Sequence, residues 1–272
     1  EDRVGITPEG AKELMDAGYQ LTVEDSANRA ISTDAYRAVG CSIATPNSWP
    51  DAPRDAIIFG LKELPEDGTP LHHRHIMFGH AFKGQHSGAG LLRRFKAGGG
   101  KLYDLEYLVD ESGRRVASFG YWAGYAGAMV AMHCWIAQQN GSLCGPIGAS
   151  ADRAAALADL GAALNSCAEP TPSAIVIGAL GRVGTGAADL CAELGLKVTK
   201  WDMAETASGG PFGEILQHDL FFNCILARPG TPVFVPAKAV SMPRSLRVIG
   251  DIACDPDSDY NPIPVYSTAT DW

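Results

Sequence analysis

Lys62 and His80 each follow directly on a short run of bulky apolar residues, Ile57-Ile58-Phe59-Gly60 and Ile76-Met77-Phe78-Gly79. Such runs read as buried parallel strands, and side chains at the carboxyl ends of parallel strands face the crevice where α/β proteins hold ligands. A lysine there, desolvated or set beside another cation, becomes a general base, and a histidine passes protons near neutral pH. The same positions also suit a solvated loop lysine and a histidine hydrogen-bonded for packing. Position alone does not separate these readings. Glu106, after the run Leu102–Leu105, either tunes the charge of Lys62 or His80 or is a solvated loop acid. Arg114 and Arg115 either fork a substrate carboxylate or carry surface charge on a hairpin. His72, His73 and His75 lie close together, but no distant carboxylate or thiol pattern completes a metal site, so a solvated loop is expected there.

The second constellation is a glycine loop. Ala174-Ile175-Val176-Ile177 runs into Gly178-Ala179-Leu180-Gly181-Arg182-Val183-Gly184-Thr185-Gly186, and a helix is expected over Ala187–Leu194. Strand, glycine turn and helix N-terminus together make an anion site, because free N–H groups and the helix dipole point at the ligand. The following strand, Lys197–Trp201, ends at Asp202, whose carboxylate can accept from the ribose hydroxyls of NAD and would repel the extra phosphate of NADP. The spacing is G-x-x-G-x-x-G, one residue off the usual fingerprint, so strand, loop, helix and acid in this order carry the NAD reading. Further strands are expected at Asp219–Ile225 and Leu246–Ile252, which sets Ile252, Ala253, Cys254 and Asp255 toward the nicotinamide end. For Cys254 a buried structural thiol is the favoured reading over a nucleophile.

The elements that position these residues alternate helix and strand along the chain. Thr7-Pro8-Glu9 opens a helix that stops near Gly18; a strand over Tyr19–Glu24, a helix over Thr33–Ala38 and a strand at Cys41–Ile43 follow. Helices are also expected at Gly88–Lys96, Tyr121–Gln139 and Ala151–Leu164, the last capped by Ser150. The class is therefore α/β, two Rossmann-like domains with parallel sheets and an interdomain cleft. Residues 1–120 are assigned to a substrate-side domain, 121–172 to connecting helices and a linker, and 173–272 to an NAD-binding domain. The length of 272 residues suits two domains, and 46% hydrophobic with 19% charged residues is an ordinary globular composition. With 22 basic against 31 acidic residues the net charge is −9, which argues against nucleic-acid binding. Seven scattered cysteines without a C-x-x-C pair indicate a reduced, cytoplasmic chain. The most apolar stretch, Phe119–Ala137, is broken by glycines and carries His133, so no membrane span is expected. The start at Glu1 without Met and the end at Trp272 without a cap read as a fragment at both ends.

These residues carry a family resemblance. Arg3-Val4-Gly5-Ile6-Thr7-Pro8 resembles the opening of the alanine dehydrogenase and transhydrogenase group. Within that superfamily Ile58–Pro65, Phe78–Lys83, Leu102–Glu106, Gly113–Ala117, Gly178–Arg182 and Ser208–Phe212 together resemble the NAD-dependent, L-lysine-forming saccharopine dehydrogenases, over nearly the whole chain. The resemblance implies oxidative deamination of saccharopine to lysine and 2-oxoglutarate, with NAD as oxidant. It implies Lys62 as the base toward the amine, His80 as the acid/base of imine hydrolysis, and Glu63 and Glu106 as tuning acids. It assigns Arg3, Gln85, Arg115 and Phe119 to substrate, and Arg114, Gly181, Arg182, Asp202, Thr206, Leu226 and Ile252 to the cofactor, beside Gly178 of the loop. A cysteine of the fungal glycine loop is Val183 here, so a bridge from that loop to Cys224 cannot form. The family also has an opening strand before the Arg3 position and a returning segment after that of Trp272.

Two other readings stand beside this one. A related dehydrogenase such as alanine dehydrogenase would use pyruvate and ammonia, and a non-catalytic module would bind the nucleotide only. The paired arginines and the string Leu-Tyr-Asp-Leu-Glu favour the larger, tricarboxylate substrate.

Overall fold

The computed structural model describes residues 4–62, 64–82, 87–253, 256 and 258–268. Arg3, Glu63, Gln85, Cys254 and Asp255 lie outside the described residues. The chain divides into two compact units, Glu1–Ser118 and Phe119–Trp272.

The first unit opens with α1 (Pro8–Asp16), whose N-cap Thr7 accepts a hydrogen bond from the Gly10 N–H. Strands β1 (Thr22–Glu24) and β2 (Ser42–Ala44) pair in parallel, joined by α2 (Thr33–Ala38). A small core of Ala11, Tyr36 and Cys41 holds them together, with the Tyr36 hydroxyl donating to the Ile6 carbonyl at 2.7 Å. Next come β3 (Ile57–Phe59), β4 (Arg74–Met77), α3 (Gly88–Gly98) and β5 (Lys101–Asp104). These strands form a parallel sheet in the order β3-β4-β5.

Two expectations fail in this unit. β3 is not buried: Ile57 is 48% and Phe59 41% exposed, because they point to the sheet face on which Tyr103 of β5 is also exposed. His73 and His75 are not in a solvated loop. They are 2% and 1% exposed, at the start of β4, where alternation turns every second side chain inward. His75 meets Trp49 and Phe95 edge-on, with ring centroids 5.2 and 5.3 Å away.

The second unit is built on a parallel sheet in the order β7-β6-β8-β9: β6 (Ser173–Ile177), β7 (Lys197–Trp201), β8 (Leu220–Asn223) and β9 (Val248–Asp251). Neighbouring side chains of its central strands point to opposite faces, which explains their unbroken apolar sequence. Ala174, Val176, Leu220 and Phe222 face one core with α4 (Gly120–Gln139), α5 (Arg153–Asn165) and α6 (Arg182–Glu193). Ile175, Ile177 and Phe221 face another, completed by Phe212, Ile215, Phe234 and Ile263. α7 (Met203–Thr206) is a single turn after β7.

Here too the structure corrects two expectations. The cap of α5 is Asp152, which accepts from the Ala155 N–H at 2.8 Å, not Ser150. α6 starts at Arg182, so Gly184 and Gly186 lie within the helix and not in the loop. They are small for packing. A Cβ on Gly186 would run into the Tyr121 carbonyl of α4, and one on Gly184 into the Gly178 carbonyl. Among the described residues no helix is long and apolar enough to cross a membrane.

Candidate active site and dinucleotide site

In the first unit, parallel pairing continues past the strand ends. The Gly60 N–H donates to the Ile76 carbonyl at 3.0 Å and the Phe78 N–H to the Leu61 carbonyl at 3.3 Å. The chain segments leaving β3 and β4 therefore run side by side. This brings Lys62 Nζ within 3.4 Å of His80 Nε2. Lys62 is exposed and His80 half-buried, so the pair is open to a ligand on the lysine side. His80 holds φ at +49°, a left-handed conformation that a residue with a Cβ adopts only where its surroundings impose it. Its ring stacks on Phe78, and its Nδ1 is buried with no partner among the described residues.

Glu106 and Arg115 meet as an ion pair, Oε2 to Nη2 at 3.0 Å. The glutamate side chain is 10% exposed and the arginine 45%, so the pair is anchored on the acid and open on the guanidinium. Arg115 sits on a turn that Asp110 organises, accepting from the Ser112 N–H and hydroxyl and from the Arg114 N–H. Those bonds, the Ser112 hydroxyl first, hold the Asp110 carboxyl below its ordinary range. Val109 and Arg115 bridge antiparallel, so the hairpin expected around the two arginines is present. Arg114 is exposed on it. Phe119, 56% exposed, stands at the N-cap of α4 in the second unit.

In the second unit the glycine loop leaves β6 at Gly178, whose φ of +86° and contact with the Cys224 carbonyl both exclude a side chain. Gly178 and Ala179 both donate to the Trp201 carbonyl, at 2.9 and 3.0 Å. Gly181 caps α6 without any side-chain acceptor. The N–H groups of the first turn, from Arg182 on, are thus without a capping side chain, which fits a pyrophosphate. Asp202 stands at the end of β7. Its Oδ2 accepts from the Leu180 N–H at 2.9 Å and its Oδ1 from the Met203 N–H at 2.9 Å. Asp202 and Glu205 form a reciprocal capping box on α7, and the Thr206 hydroxyl donates back to the Asp202 carbonyl. Each Asp202 oxygen keeps a second lone pair for a ribose hydroxyl. Leu180, Met203 and Leu226 stand 83%, 82% and 76% exposed on the segments that leave β6, β7 and β8. These residues fit a dinucleotide: an uncapped helix N-terminus, a glycine turn and an acid at the neighbouring strand end.

Ile252, just past the end of β9, packs against Gly127 of α4 and against the apolar core. Asn223 and Asp251, at the ends of β8 and β9, did not stand out in the sequence. Asn223 is fully buried and its Nδ2 donates to Asp251 Oδ1 at 2.9 Å. The only hint was a polar residue closing Leu-Phe-Phe-Asn. Cys224, beside the glycine loop, is a free thiol pushed up to about 12 by burial first and then by Cys191 and Asp251. Among the described residues no cluster of His, Cys, Asp or Glu is placed to hold a metal ion.

Comparisons with known proteins bear on the whole chain. Residues 1–126 match the family model of the alanine dehydrogenase/PNT N-terminal domain. The NAD(+), L-lysine-forming saccharopine dehydrogenase of Schizosaccharomyces pombe is 42% identical over 281 residues, covering 99% of this chain and 76% of that one. That of Candida albicans is 42% identical over 291 residues, with the same shares. The mitochondrial alpha-aminoadipic semialdehyde synthase of Bos taurus is 31% identical over 133 residues, 49% of this chain and 14% of that one. Among solved structures an L-alanine dehydrogenase superposes with a TM-score of 0.48 at 17% identity, over 91% of this chain and 68% of that one.

Proposed function

The chain belongs to the NAD-dependent, L-lysine-forming saccharopine dehydrogenases, and from that premise we propose that Lys62 and His80 carry the oxidative deamination of saccharopine to lysine and 2-oxoglutarate. It is an oxidoreductase of lysine metabolism with an α/β, Rossmann-type fold. The observation that supports the two roles is the 3.4 Å contact between Lys62 Nζ and His80 Nε2 at adjacent strand ends.

NAD, when bound, supplies the hydride acceptor. The glycine turn Gly178–Gly181 and the first turn of α6 would hold its pyrophosphate, and Asp202 its ribose, with Leu226, Thr206 and Ile252 around them. Arg182, the first residue of α6, adds a positive charge at that terminus. Arg114 is a further cofactor contact in this reading. Lys62 Nζ takes the proton of the secondary amine as the C–H bond is oxidised to an imine. His80 then takes a proton from the water that adds to the imine carbon and returns one to the departing lysine nitrogen. Arg115, and with it Phe119, Arg3 and Gln85, binds the substrate, the guanidinium offering a fork to a carboxylate. Glu106, held by Arg115, and Glu63 adjust the charge around the two bases.

Six free thiols among the described residues support a reducing, cytoplasmic setting. The test is NADH consumption with lysine plus 2-oxoglutarate, run beside pyruvate plus ammonium. Oxidation with the lysine pair alone is expected. Oxidation with pyruvate alone would move the chain to the alanine branch. Silence in both, with NADH fluorescence showing binding, would leave a nucleotide-binding role without turnover.

A further inference from the structure

Asp104 closes β5, opposite Met77 at the end of β4. Its Oδ1 accepts two backbone N–H groups at once: that of Gly79 at 3.2 Å and that of Glu106 at 3.0 Å. Gly79 is the residue before His80, and Glu106 is the acid paired with Arg115. One carboxylate oxygen thus ties together the backbone beneath both halves of the first unit's polar cluster. A backbone bond runs beside it, the Leu105 N–H donating to the Met77 carbonyl at 2.9 Å.

The local geometry depends on this tie. Gly79 lies close over β5, and a Cβ there would sit 3.0 Å from Leu102 Cδ2 and 3.4 Å from Asp104 Oδ2. The missing side chain lets this backbone lie close over Leu102. The next residue, His80, is held at φ +49°, a conformation that persists only when its neighbours fix it. Asp104 fixes the Phe78–Gly79 peptide, one residue before it, and the Phe78–His80 stack fixes the ring. Asp104 Oδ2 is buried and has no partner among the described residues, so only Oδ1 does this work.

We propose that Asp104 is a positioning residue for the reaction, holding His80 against Lys62 and Glu106 against Arg115 through the Gly79 and Glu106 amides. The proposal rests on the assignment of His80 and Lys62 to the chemistry. The bonds of Asp104 Oδ1 go to backbone amides, not to the Lys62 or His80 side chain. What it contributes is an acceptor at one fixed point in space.

Two conservative variants separate that acceptor from the charge. Asp104→Asn keeps an oxygen at Oδ1 and removes the charge, and since Oδ2 has no partner, its replacement by an amide breaks no existing bond. Asp104→Glu keeps the charge and moves the acceptor by one methylene. Displacements of about 1 Å in a catalytic constellation cost ~100-fold. Asp104→Asn is therefore expected to keep kcat within ~5-fold of wild type and Asp104→Glu to lose ~100-fold. Amide hydrogen exchange at Gly79 and Glu106 should quicken in Asp104→Glu and stay slow in Asp104→Asn. In a His80→Gln background the added Asp104→Glu should cost well under ~100-fold, because one of the two groups it positions is already gone and only the Glu106–Arg115 half remains to be disturbed.

An active Asp104→Glu beside an inactive Asp104→Asn would show that the charge matters and overturn the proposal. So would exchange unchanged in Asp104→Glu, or a full ~100-fold loss repeated in the His80→Gln background. Wild-type turnover in His80→Gln alone would instead bring down the reading of the site, and the positioning role with it. The amide exchange would still report whether the two hydrogen bonds exist.

Discussion

Lys62 Nζ and His80 Nε2 lie 3.4 Å apart although 18 residues separate them in the chain. Parallel pairing of β3 with β4 brings them together, with Phe59 opposite Ile76 and the two exits hydrogen-bonded beyond the strands. At this distance the two nitrogens are within hydrogen-bond reach, with the donor and acceptor roles set by the histidine tautomer. That suits a reaction in which a proton is first removed from an amine and later moved between water and a leaving nitrogen.

Removing the ammonium should separate chemistry from binding. Lys62→Met keeps the length and apolar stem of the side chain. It is expected to lower kcat by at least ~100-fold, the range for loss of a general base. NADH affinity, which in the proposed site rests on groups other than Lys62, should stay within ~2-fold. Steady-state kinetics and NADH fluorescence titration check this, and unchanged turnover would remove Lys62 from the mechanism.

Asp202 has two jobs in one carboxylate. It holds the Leu180 amide of the glycine loop and caps α7. Asp202→Ala should weaken NADH binding by ~10-fold or more and reduce discrimination against NADPH, since the proposed ribose acceptor and its repelling charge are both lost. Loss of the cap should also cost about 1 kcal/mol of stability. Paired titrations with NADH and NADPH test the placement, and an unchanged preference would show that the ribose lies elsewhere.

Much of this arrangement could be read from residue order. The apolar runs before Lys62, His80 and Gly178 announced parallel strands, and parallel strands gather their carboxyl-end residues on one edge. What the order concealed came from ambiguity in residue type. Gly184 and Gly186 look like phosphate-loop glycines, yet both lie within α6, where Gly186 makes room for α4 and Gly184 for the loop backbone at Gly178, and only the packing decides this. Ser150 and Asp152 are equally good caps, and one hydrogen bond chooses Asp152. His73 and His75 sit among polar neighbours that suggest a loop, whereas strand alternation buries them both. Asp104 was invisible because its task is to hold amides that belong to other segments.

The burial of His75 has a consequence for acid stability. Burial first, then the neighbouring His73 and Arg94, lower its pKa from the ordinary 6.5 to about 4. The folded state therefore keeps it neutral while the unfolded chain binds a proton below about pH 6.5. The stability it contributes is whole above that value and is lost as the pH falls toward 4. Between pH 7 and pH 5 the loss is about 2 kcal/mol, from the 1.36 kcal/mol per unit of pKa difference. Its Nε2 has no partner among the described residues, so His75→Phe, a ring of similar shape between Trp49 and Phe95, breaks no hydrogen bond at that atom. Urea unfolding at the two pH values should show a smaller acid loss in His75→Phe. An equal loss in both proteins would mean that other groups dominate the acid response.

The glycine contacts between α4 and α6 give the last prediction. A Cβ on Gly124 would overlap the Val183 carbonyl oxygen, and one on Gly186 the Tyr121 carbonyl oxygen, both of them backbone atoms that cannot rotate away. Tyr121 and Tyr125 also bond across to Asp189 and Glu193, at 2.9 and 2.6 Å, so the two helices are pinned in one register. Gly124→Ala must then push the helices apart. Overpacking of this kind costs about 1–3 kcal/mol, and backbone collision sets this site at the upper end. Because Val183 lies in the first turn of α6, the displacement reaches the N–H groups proposed to hold the pyrophosphate. The variant should therefore unfold at lower urea and bind NADH more weakly, whereas Gly145→Ala, with nothing within 4 Å of its Cβ position, should do neither. Wild-type stability and affinity in Gly124→Ala would show that the helices can part freely, and that their close approach does not hold the dinucleotide site in shape.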